Sequence, residues 1–326
     1  MSQLRLNPLN GRWVTIVAER SERPTDFAPR LQQVETEPNR PCPFCPEHTE
    51  DRDATLETFD ANGNWKMRVV PNKYPAFSGD EPMAVHNIGP VHMMSEASGV
   101  HEVFVFTPNH DARLGEMSDS DVGEMMDVLK ERLIQHQSTP NIRYTQAIVN
   151  HGREAGASLA HPHGQILGLP FVPGEILDEE RAFGRFAGGC ILCATVEAER
   201  VDGKRVVLET EESLVLCPYW SGMPYELLII PKHHDAHLTD ASTDSLHSVG
   251  IAIKRTLLTL NAALGDVAFN LGFHTAPGHH SGTYHWHVHV WPKMVTTAGF
   301  ERGTGVLINI VPPEDAAETL RSAAPK

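Results

Sequence analysis

Hydrophobic and polar positions follow the same succession of patterns twice along this chain. A short apolar run at 103–106 precedes an amphipathic segment at 120–137, and a second run at 227–230 precedes another at 243–264. In both amphipathic segments apolar residues recur every three to four positions, which predicts a helix with one buried face. The residues on these faces are Val122, Met125, Met126, Leu129 and Leu133, then Leu246, Val249, Ile253, Leu257, Leu260 and Leu264. The apolar runs predict strands, so each half should combine a sheet with a packed helix.

Metal-type ligands show that this repetition is an internal duplication. Each set has a CxxC pair and two distant histidines. The sets are Cys42, Cys45, His110 and His161 in the first half and Cys190, Cys193, His234 and His285 in the second. The two histidines of each set are 51 residues apart (161 − 110 and 285 − 234). Two thiolates with two imidazoles form the closed tetrahedral set that structural zinc prefers, so two zinc sites are expected.

The duplication sets the expected fold class and the boundary between the halves. We expect an α+β protein made of two tandem halves, residues 1–178 and 179–326, each a mostly antiparallel sheet with packed helices. Further strands are expected at 13–18 and 205–208, irregular structure at 21–43 and a loose tail at 321–326.

Composition limits the partners and the compartment. A formal charge of −15 over 326 residues argues against a nucleic acid or an anionic membrane as partner, because both bind basic surfaces. Four of the five cysteines lie in CxxC pairs, which indicates metal ligands in a reducing compartment. The first residues start no signal segment, and no apolar stretch approaches the roughly 18 residues of a membrane span. A cytoplasmic location is expected.

The histidine beside the first metal set is the candidate nucleophile. His161 and His163 are two positions apart, so on an extended strand both side chains lie on one face. If zinc holds His161, then His163 has little rotational freedom, as a nucleophile needs. A ring nitrogen that attacks phosphorus forms a phosphoramidate, which suits reversible group transfer better than hydrolysis. The amide of Gln165 can donate to a phosphoryl oxygen, and the small-residue loop with Asn150 and Ser158 can cradle phosphates.

Several strings spread over nearly the whole chain carry a family resemblance. They are Asn-Pro-Leu-Asn-Gly-Arg-Trp at 7–13, Arg-Ser-Glu-Arg-Pro at 20–24, the first CxxC pair, Asn72, the block at 156–165 that ends in His-Pro-His-Gly-Gln, and the block at 218–226. In these strings the chain resembles the galactose-1-phosphate uridylyltransferase family, within the wider histidine-triad superfamily. The resemblance implies two histidine-triad-like halves, the first with the nucleophile and a zinc site and the second with another metal site.

The resemblance also implies a reaction and roles for individual residues. His163 would carry a uridylyl group, and Gln165 would contact its phosphoryl oxygens. In a ping-pong reaction, UDP-glucose uridylylates the histidine and galactose 1-phosphate then takes the group. The expected substrate contacts are Asn72, Asn150 and Ser158 to nucleotide or phosphates, Arg20 and Arg23 near the sugar phosphate, and Phe300 and Glu301 at the hexose. Members of the family are homodimers whose sites are completed across the interface, so a homodimer is expected.

By the same resemblance, a carboxylate and three imidazoles in the second half match an iron- or zinc-type site. These residues are Glu179, His274, His287 and His289. They share no residue with the second cysteine set, so both sites can exist in one chain. The alternative is a cluster of hydrogen-bonded histidines.

Other functions remain open at this stage. Leu307 falls where the best-known transferases carry a hexose-contacting glutamine, and the stretch at 298–305 looks more like the ADP-glucose phosphorylase branch. That branch usually has serine where this chain has Pro162 and Gly164. A nucleotide-sugar phosphorylase acting through the same histidine is therefore the main alternative to a uridylyltransferase. A dinucleotide hydrolase would use water as acceptor, and a zinc-stabilised binding module would not need His163.

Overall fold

The computed structural model describes residues 2–18, 41–48, 54–278 and 282–325. Arg20 and Arg23 lie outside the described residues, as does most of the segment 21–43 that is expected to be irregular.

The secondary structure contains both helices that the hydrophobic pattern predicts, at 119–137 and 243–264, together with further helices and strands. Within the described residues the strands are β1 (Gln3–Leu6), β2 (Trp13–Ile16), β3 (Leu56–Phe59), β4 (Trp65–Pro71), β5 (His86–Ile88), β6 (His92–Met94), β7 (Val100–Val105), β8 (Tyr144–His151), β9 (His163–Leu169), β10 (Val206–Glu209), β11 (Ser213–Leu216), β12 (Leu227–Pro231), β13 (Phe269–His274), β14 (His287–Pro292) and β15 (Leu307–Asn309). The helices are α1 (Asp119–Gln137), α2 (Gly174–Arg185), α3 (Ile191–Asp202), α4 (Thr243–Leu264), α5 (Gly299–Thr304) and α6 (Pro313–Ala323). The last helix continues to Ala323, so the prediction of a loose tail at 321–326 is wrong for residues 321–323.

Ten of these strands form one antiparallel sheet, which confirms the α+β prediction. Its order is β10-β11-β12-β14-β13-β8-β9-β7-β4-β3. The two halves meet where β8 pairs with β13, and there Ile148 lies opposite Gly272. These partners are 124 residues apart (272 − 148), the same separation as His110 and His234 (234 − 110). The duplicated halves are thus related by a local twofold axis between β8 and β13.

Helices α1 and α4 are duplicates that pack against each other. Each begins after a serine whose hydroxyl caps the first turn: Ser118 accepts from Asp121 N at 3.1 Å, and Ser242 accepts from Ser245 N at 3.2 Å. All the apolar positions predicted for the two helix faces are buried except Leu264, which is partly buried. They form the main core against one face of the sheet.

The opposite face of the sheet is covered differently in the two halves. In the second half, residues of α2 and α3 such as Phe183 and Leu192 pack on Leu228 and Ile230. In the first half, the described residues packed on the corresponding face around Val103 and Val105 come from loops and strands rather than helices. They are Phe44, Ala54 and Trp65. Among the described residues, this face of the first half therefore has no helix packed on it. His163 lies on this face.

A smaller sheet joins the first residues of the chain to the second half. Strand β1 pairs with β2, which pairs in parallel with β15. Arg5 is bound to Glu314 at 3.0 Å, and its guanidinium lies 4.1 Å from the ring centre of Tyr219. No described helix is both long and apolar enough to cross a membrane.

Candidate active site and metal centres

The four ligands of the first cysteine set converge on one point. Cys45 Sγ is 3.4 Å from His110 Nδ1 and 3.8 Å from His161 Nδ1, and Cys42 Sγ is 3.7 Å from the same His161 nitrogen. Ligands around a tetrahedral zinc, with Zn–S and Zn–N bonds near 2.3 and 2.0 Å, lie about 3.3 to 3.8 Å apart. His161 Nε2 donates to the carbonyl of Thr107 at 2.7 Å, which turns Nδ1 towards the other ligands. The set fits a zinc ion.

The second cysteine set repeats this geometry. Cys193 Sγ is 3.4 Å from His234 Nδ1 and 3.5 Å from His285 Nδ1, while Cys190 Sγ is 3.5 Å from His285 Nδ1. The spacing again matches the edges of a zinc tetrahedron. The structure thus brings the four residues of each cysteine set together as a possible metal-binding cluster.

One thiol of each cysteine set resists ionisation. Burial and the neighbouring Cys42 raise the pKa of Cys45 to about 11, and burial with Cys190 raises the pKa of Cys193 to about 12. Zinc binds thiolates, so it has to displace these protons. Metal binding at these sites is therefore coupled to the release of protons.

The third set, of one carboxylate and three imidazoles, is entirely buried beneath α2. Its donor atoms all lie within 4.8 Å of one another. His274 Nδ1 is 2.9 Å from Glu179, the Tyr284 hydroxyl donates to the same carboxylate at 2.6 Å, and His287 Nε2 is 3.1 Å from His289 Nε2. The ring nitrogen Nδ1 of His289 has no hydrogen-bond partner among the described residues. The donors suit iron or zinc, and most of them also satisfy one another.

His163 is held in one orientation and one protonation state. Its Nδ1 donates to the carbonyl of His161 at 2.7 Å, and its ring packs 5.2 Å from that of Phe44. Burial lowers its pKa, although the bond to the carbonyl acts in the opposite direction. The imidazole is therefore neutral at physiological pH, with its lone pair on Nε2. No hydrogen bond involves that nitrogen in the part of the chain that the structure describes, so it can act as a nucleophile.

Gln165 shares the strand face of His163 and is held by a histidine of the next strand. His101 Nδ1 accepts from the backbone N–H of Ala76 at 3.0 Å, so the proton of the neutral ring is on Nε2. That Nε2 lies 2.8 Å from Gln165 Oε1 and donates to it. The amide of Asn72 is also near, with Nδ2 3.1 Å from His101 Nε2, and its oxygen accepts from Tyr74 N at 2.9 Å.

The end of β8, before the small-residue loop, carries a second amide held in the same way. Asn270 Nδ2 donates to Asn150 Oδ1 at 2.7 Å and to the carbonyl of Ala155 at 2.8 Å. The amide nitrogen of Asn150 is left facing Gly156, which has a φ of +88°. Ser158 is exposed at the end of this loop. The loop thus presents an N–H₂ group and a hydroxyl next to β9.

The residues expected to contact the hexose lie on the short helix α5. Phe300 is 53% exposed and Glu301 accepts from Ala298 N at 3.1 Å, both on the short helix α5. No hydrogen bond or ring contact joins either residue to His163 among the described residues. Leu307 packs so closely on Gly222 that a Cβ there would be 2.3 Å from Leu307 Cδ1.

Sequence reasoning missed three residues that shape the site: His101, Asn270 and Phe44. The first two act on Gln165 and Asn150 through bonds between neighbouring strands, and the third stands inside the CxxC turn and packs on His163. Only Phe44 had a signal in the sequence, because it lies between two predicted ligands.

A duplicated sheet that holds a metal-type ligand set beside a histidine with one available ring nitrogen suits an enzyme that transfers a group through that histidine. The sequence also matches the family model described as galactose-1-phosphate uridyl transferase, with the N-terminal domain over residues 1–173 and the C-terminal domain over residues 177–321. The chain belongs to this family, which confirms the resemblance seen in its motifs.

Individual relatives span almost its full length. The ADP-glucose phosphorylase of Arabidopsis thaliana is 30% identical, covering 99% of this chain and 93% of that protein. The galactose-1-phosphate uridylyltransferase of Thermotoga maritima is 30% identical, covering 98% of both chains. The crystal structure of an ADP-glucose phosphorylase from A. thaliana with bound ADP-glucose superimposes with a TM-score of 0.84 at 28% identity, covering 100% of each chain.

Proposed function

We propose that this protein is a UDP-glucose–hexose-1-phosphate uridylyltransferase that works through a uridylyl-histidine on His163. The observation that carries the proposal is the bond from His163 Nδ1 to the carbonyl of His161, 2.7 Å long. It fixes the tautomer whose lone pair is on Nε2, on the open face of the first half. A histidine used only for structure does not need an available nitrogen on that face.

The transfer has two balanced steps. His163 Nε2 attacks the phosphorus that bears uridine, the new N–P bond forms, and the bond from that phosphorus to the bridging oxygen breaks. The electron pair leaves on glucose 1-phosphate. An oxygen of a second hexose 1-phosphate, such as galactose 1-phosphate, then attacks the same phosphorus, and Nε2 regains its lone pair. While the N–P bond exists, the imidazole ring is positively charged, and the carbonyl of His161 stabilises that charge through the Nδ1–H bond.

Side chains around His163 suit the negative charge that the phosphorus carries. Gln165 and Asn150 each have their amide oxygen bound by a neighbour, so each can donate from its nitrogen to a phosphoryl oxygen. Ser158 can add a hydroxyl. We assign contacts to the nucleotide to Asn72 and contacts to the sugar phosphate to Arg20 and Arg23.

Metals have a structural role in this proposal. Zinc held by the first cysteine set would fix His161, whose carbonyl orients His163, and zinc in the second cysteine set would support the second half. Iron or zinc would occupy the buried site of Glu179, His274, His287 and His289. We further propose that the halves divide near residue 178, that the protein is cytoplasmic, and that it acts as a homodimer in which Phe300 and Glu301 serve the hexose site.

A nucleotide-sugar phosphorylase is the second candidate. The relative from A. thaliana that carries this name matches the chain as well as the uridylyltransferase from T. maritima does, at 30% identity each. Leu307 stands where the best-known transferases have a glutamine that contacts the hexose, and here it packs against Gly222. In this alternative His163 keeps its role, and inorganic phosphate replaces hexose 1-phosphate as acceptor.

Intact-protein mass spectrometry at neutral pH separates the candidates. The protein is incubated with UDP-glucose alone or with ADP-glucose alone, and His163→Gly is treated in parallel. A gain of one uridylyl group that is absent in the variant and is discharged by galactose 1-phosphate supports the uridylyltransferase. An adenylyl group discharged by inorganic phosphate would favour the phosphorylase, and labelling by neither nucleotide sugar would overturn the nucleotidyl-histidine.

A further inference from the structure

His101 and Gln165 form a pair whose geometry goes beyond the proposed function and rests on it. We propose that His101 is a positioning residue that orients the amide of Gln165 so that its N–H₂ group, and not its oxygen, faces the phosphorus attacked by His163. His101 itself need not touch the substrate.

The orientation starts from a backbone group that can only donate. The N–H of Ala76 lies 3.0 Å from His101 Nδ1, so this ring nitrogen must be the acceptor. The neutral ring then carries its proton on Nε2, where the acceptor 2.8 Å away is Oε1 of Gln165. The assignment of oxygen and nitrogen in the Gln165 amide therefore follows from the backbone and not from the amide itself.

The nearby Asn72 does not offer a competing acceptor. Its Oδ1 accepts from the backbone N–H of Tyr74 at 2.9 Å, so the group it turns towards His101 is the N–H₂. Asn72 Nδ2 and the protonated Nε2 of His101 are both donors, so their 3.1 Å contact is not a hydrogen bond. The proton on His101 Nε2 then has one acceptor among these neighbours, which is Oε1 of Gln165. Two backbone N–H groups thus determine the orientation of all three side chains.

The strands make this contact rigid. In the pairing of β7 with β9, His101 lies opposite Leu167 and Gln165 lies opposite Val103. His101 and Gln165 are therefore diagonal neighbours on one face of an antiparallel pair, where long side chains meet. His163 lies two residues before Gln165 on the same face, and nitrogen Nε2 of Gln165 has no hydrogen bond within the described residues.

The consequence for the reaction is electrostatic. A side-chain amide that is free to rotate by 180° would present its oxygen to a phosphoryl oxygen part of the time, and the two would repel each other. When His101 binds the amide oxygen, the N–H₂ group of Gln165 faces the phosphoryl oxygen before negative charge develops there. The amide then needs no reorientation in the transition state. The loss of one such donor lowers the rate by about 10² to 10³ in comparable sites, and partial loss of its orientation should lower it less.

The test compares His101→Asn with His101→Ala in two backgrounds. Asparagine keeps an acceptor near the position of Nδ1 for Ala76 N–H, but it is too short to donate to Gln165. If His101 positions Gln165, both variants should lower kcat for uridylylation about 10- to 100-fold with little change in KM for UDP-glucose. In a Gln165→Ala background, neither substitution should lower kcat further, because the amide to be oriented is gone.

The opposite results would overturn the proposal. If His101 only supports the loop at Ala76, His101→Asn should retain wild-type kcat, and His101→Ala should cause the same loss with and without Gln165. Thermal unfolding of each variant shows whether the fold is intact. Labelling of the wild-type protein separates the two levels of inference: a wild type that takes no nucleotidyl group contradicts the proposed function, whereas a labelled wild type with an equally active His101→Asn contradicts only the role of His101.

Discussion

At the scale of single residues, the site depends on the absence of a side chain at Gly164, where the neighbouring atoms lie too close for one. Gly164 separates His163 from Gln165, and its hydrogen faces the helix side of the sheet. A Cβ at this position would be 2.9 Å from the carbonyl oxygen of Ile148 and 2.9 Å from Cζ of Phe106. Side-chain atoms essentially never come this close, so the central strand of the site requires glycine here. The serine usual in the phosphorylase branch does not fit without movement of Phe106.

Replacement of Gly164 by serine should therefore destabilise the protein. Overpacking of this kind costs about 1 to 3 kcal/mol, and urea denaturation measures the loss. Gly184→Ala is the matched control, because Gly184 is exposed in α2 and a Cβ added there would have nothing within 4 Å. It should leave stability unchanged or slightly raised. Equal losses at the two positions would show that the contact with Phe106 is not the cause.

At the scale of elements, strand β7 is fastened to helix α1 by a buried charge network behind the site. Arg132 donates to Glu102 at 2.9 and 3.1 Å, and His136 Nε2 lies 3.1 Å from the same carboxylate. Burial alone would raise the pKa of Glu102, but the bonds from His136 and Arg132 outweigh it and hold the pKa below its ordinary value. Since Glu102 follows His101 directly, this network also fixes the strand that positions Gln165.

We expect Glu102→Gln to cost about 3 kcal/mol near neutral pH, because it leaves Arg132 buried without a counter-charge. A carboxylate with a lowered pKa adds stability above its ordinary pKa and loses it as the pH falls through the lowered value. The difference in the free energy of unfolding between wild type and variant, measured by urea denaturation, should thus stay level from pH 7 to about pH 5 and narrow as the pH falls below the ordinary pKa of 4.5. Asp178→Asn, which alters a surface pair with Arg181, should cost at most about 1 kcal/mol. A gap that is constant with pH would contradict the role of the charge.

At the scale of the whole molecule, the duplication places a histidine with the same hydrogen bond in each half, but the two histidines are covered by different elements. His287 repeats the bond of His163, with Nδ1 2.8 Å from the carbonyl of His285. Yet His287 is completely buried, because the second half packs α2 and α3 on the face that the first half leaves to loops and strands. Helices α2 and α3 thus cover the His287 side of the sheet, whereas no helix among the described residues covers the His163 side.

The two cysteine sets should therefore differ in their effect on activity. Cys42→Ser with Cys45→Ser should remove one zinc per chain and most of the uridylylation, since Phe44 and His161 then lose the ion that orders them against His163. The matched pair, Cys190→Ser with Cys193→Ser, should also remove one zinc and lower the unfolding temperature, while more of the activity survives. Metal analysis by mass spectrometry and single-turnover labelling measure both quantities. Equal losses of activity in variants that remain folded would contradict a local role of the first set.

The two duplicated helices, the duplication itself and the residue types at the candidate site can be read from the order of the amino acids. Helices α1 and α4 follow from their apolar period, and both cysteine sets follow from donor type and spacing, because these properties are local or are repeated in the chain. The proposed nucleophile follows from the two-residue spacing of His161 and His163, since a strand places alternate side chains on one face. The family was also evident from motifs alone.

The tertiary structure decides the orientation of the hydrogen-bond donors and the cover over each half, because both depend on contacts between segments that are distant in the sequence. His101 reaches Gln165 across the β7–β9 pair and Asn270 reaches Asn150 across the β8–β13 pair, and both contacts depend on strand register. Histidine and asparagine are common residues, and a shift of one position would turn each to the other face. The cover of α2 and α3 over His287 likewise arises from packing between distant segments. Local patterns specify which groups a chain carries, whereas long-range pairing specifies what those groups face.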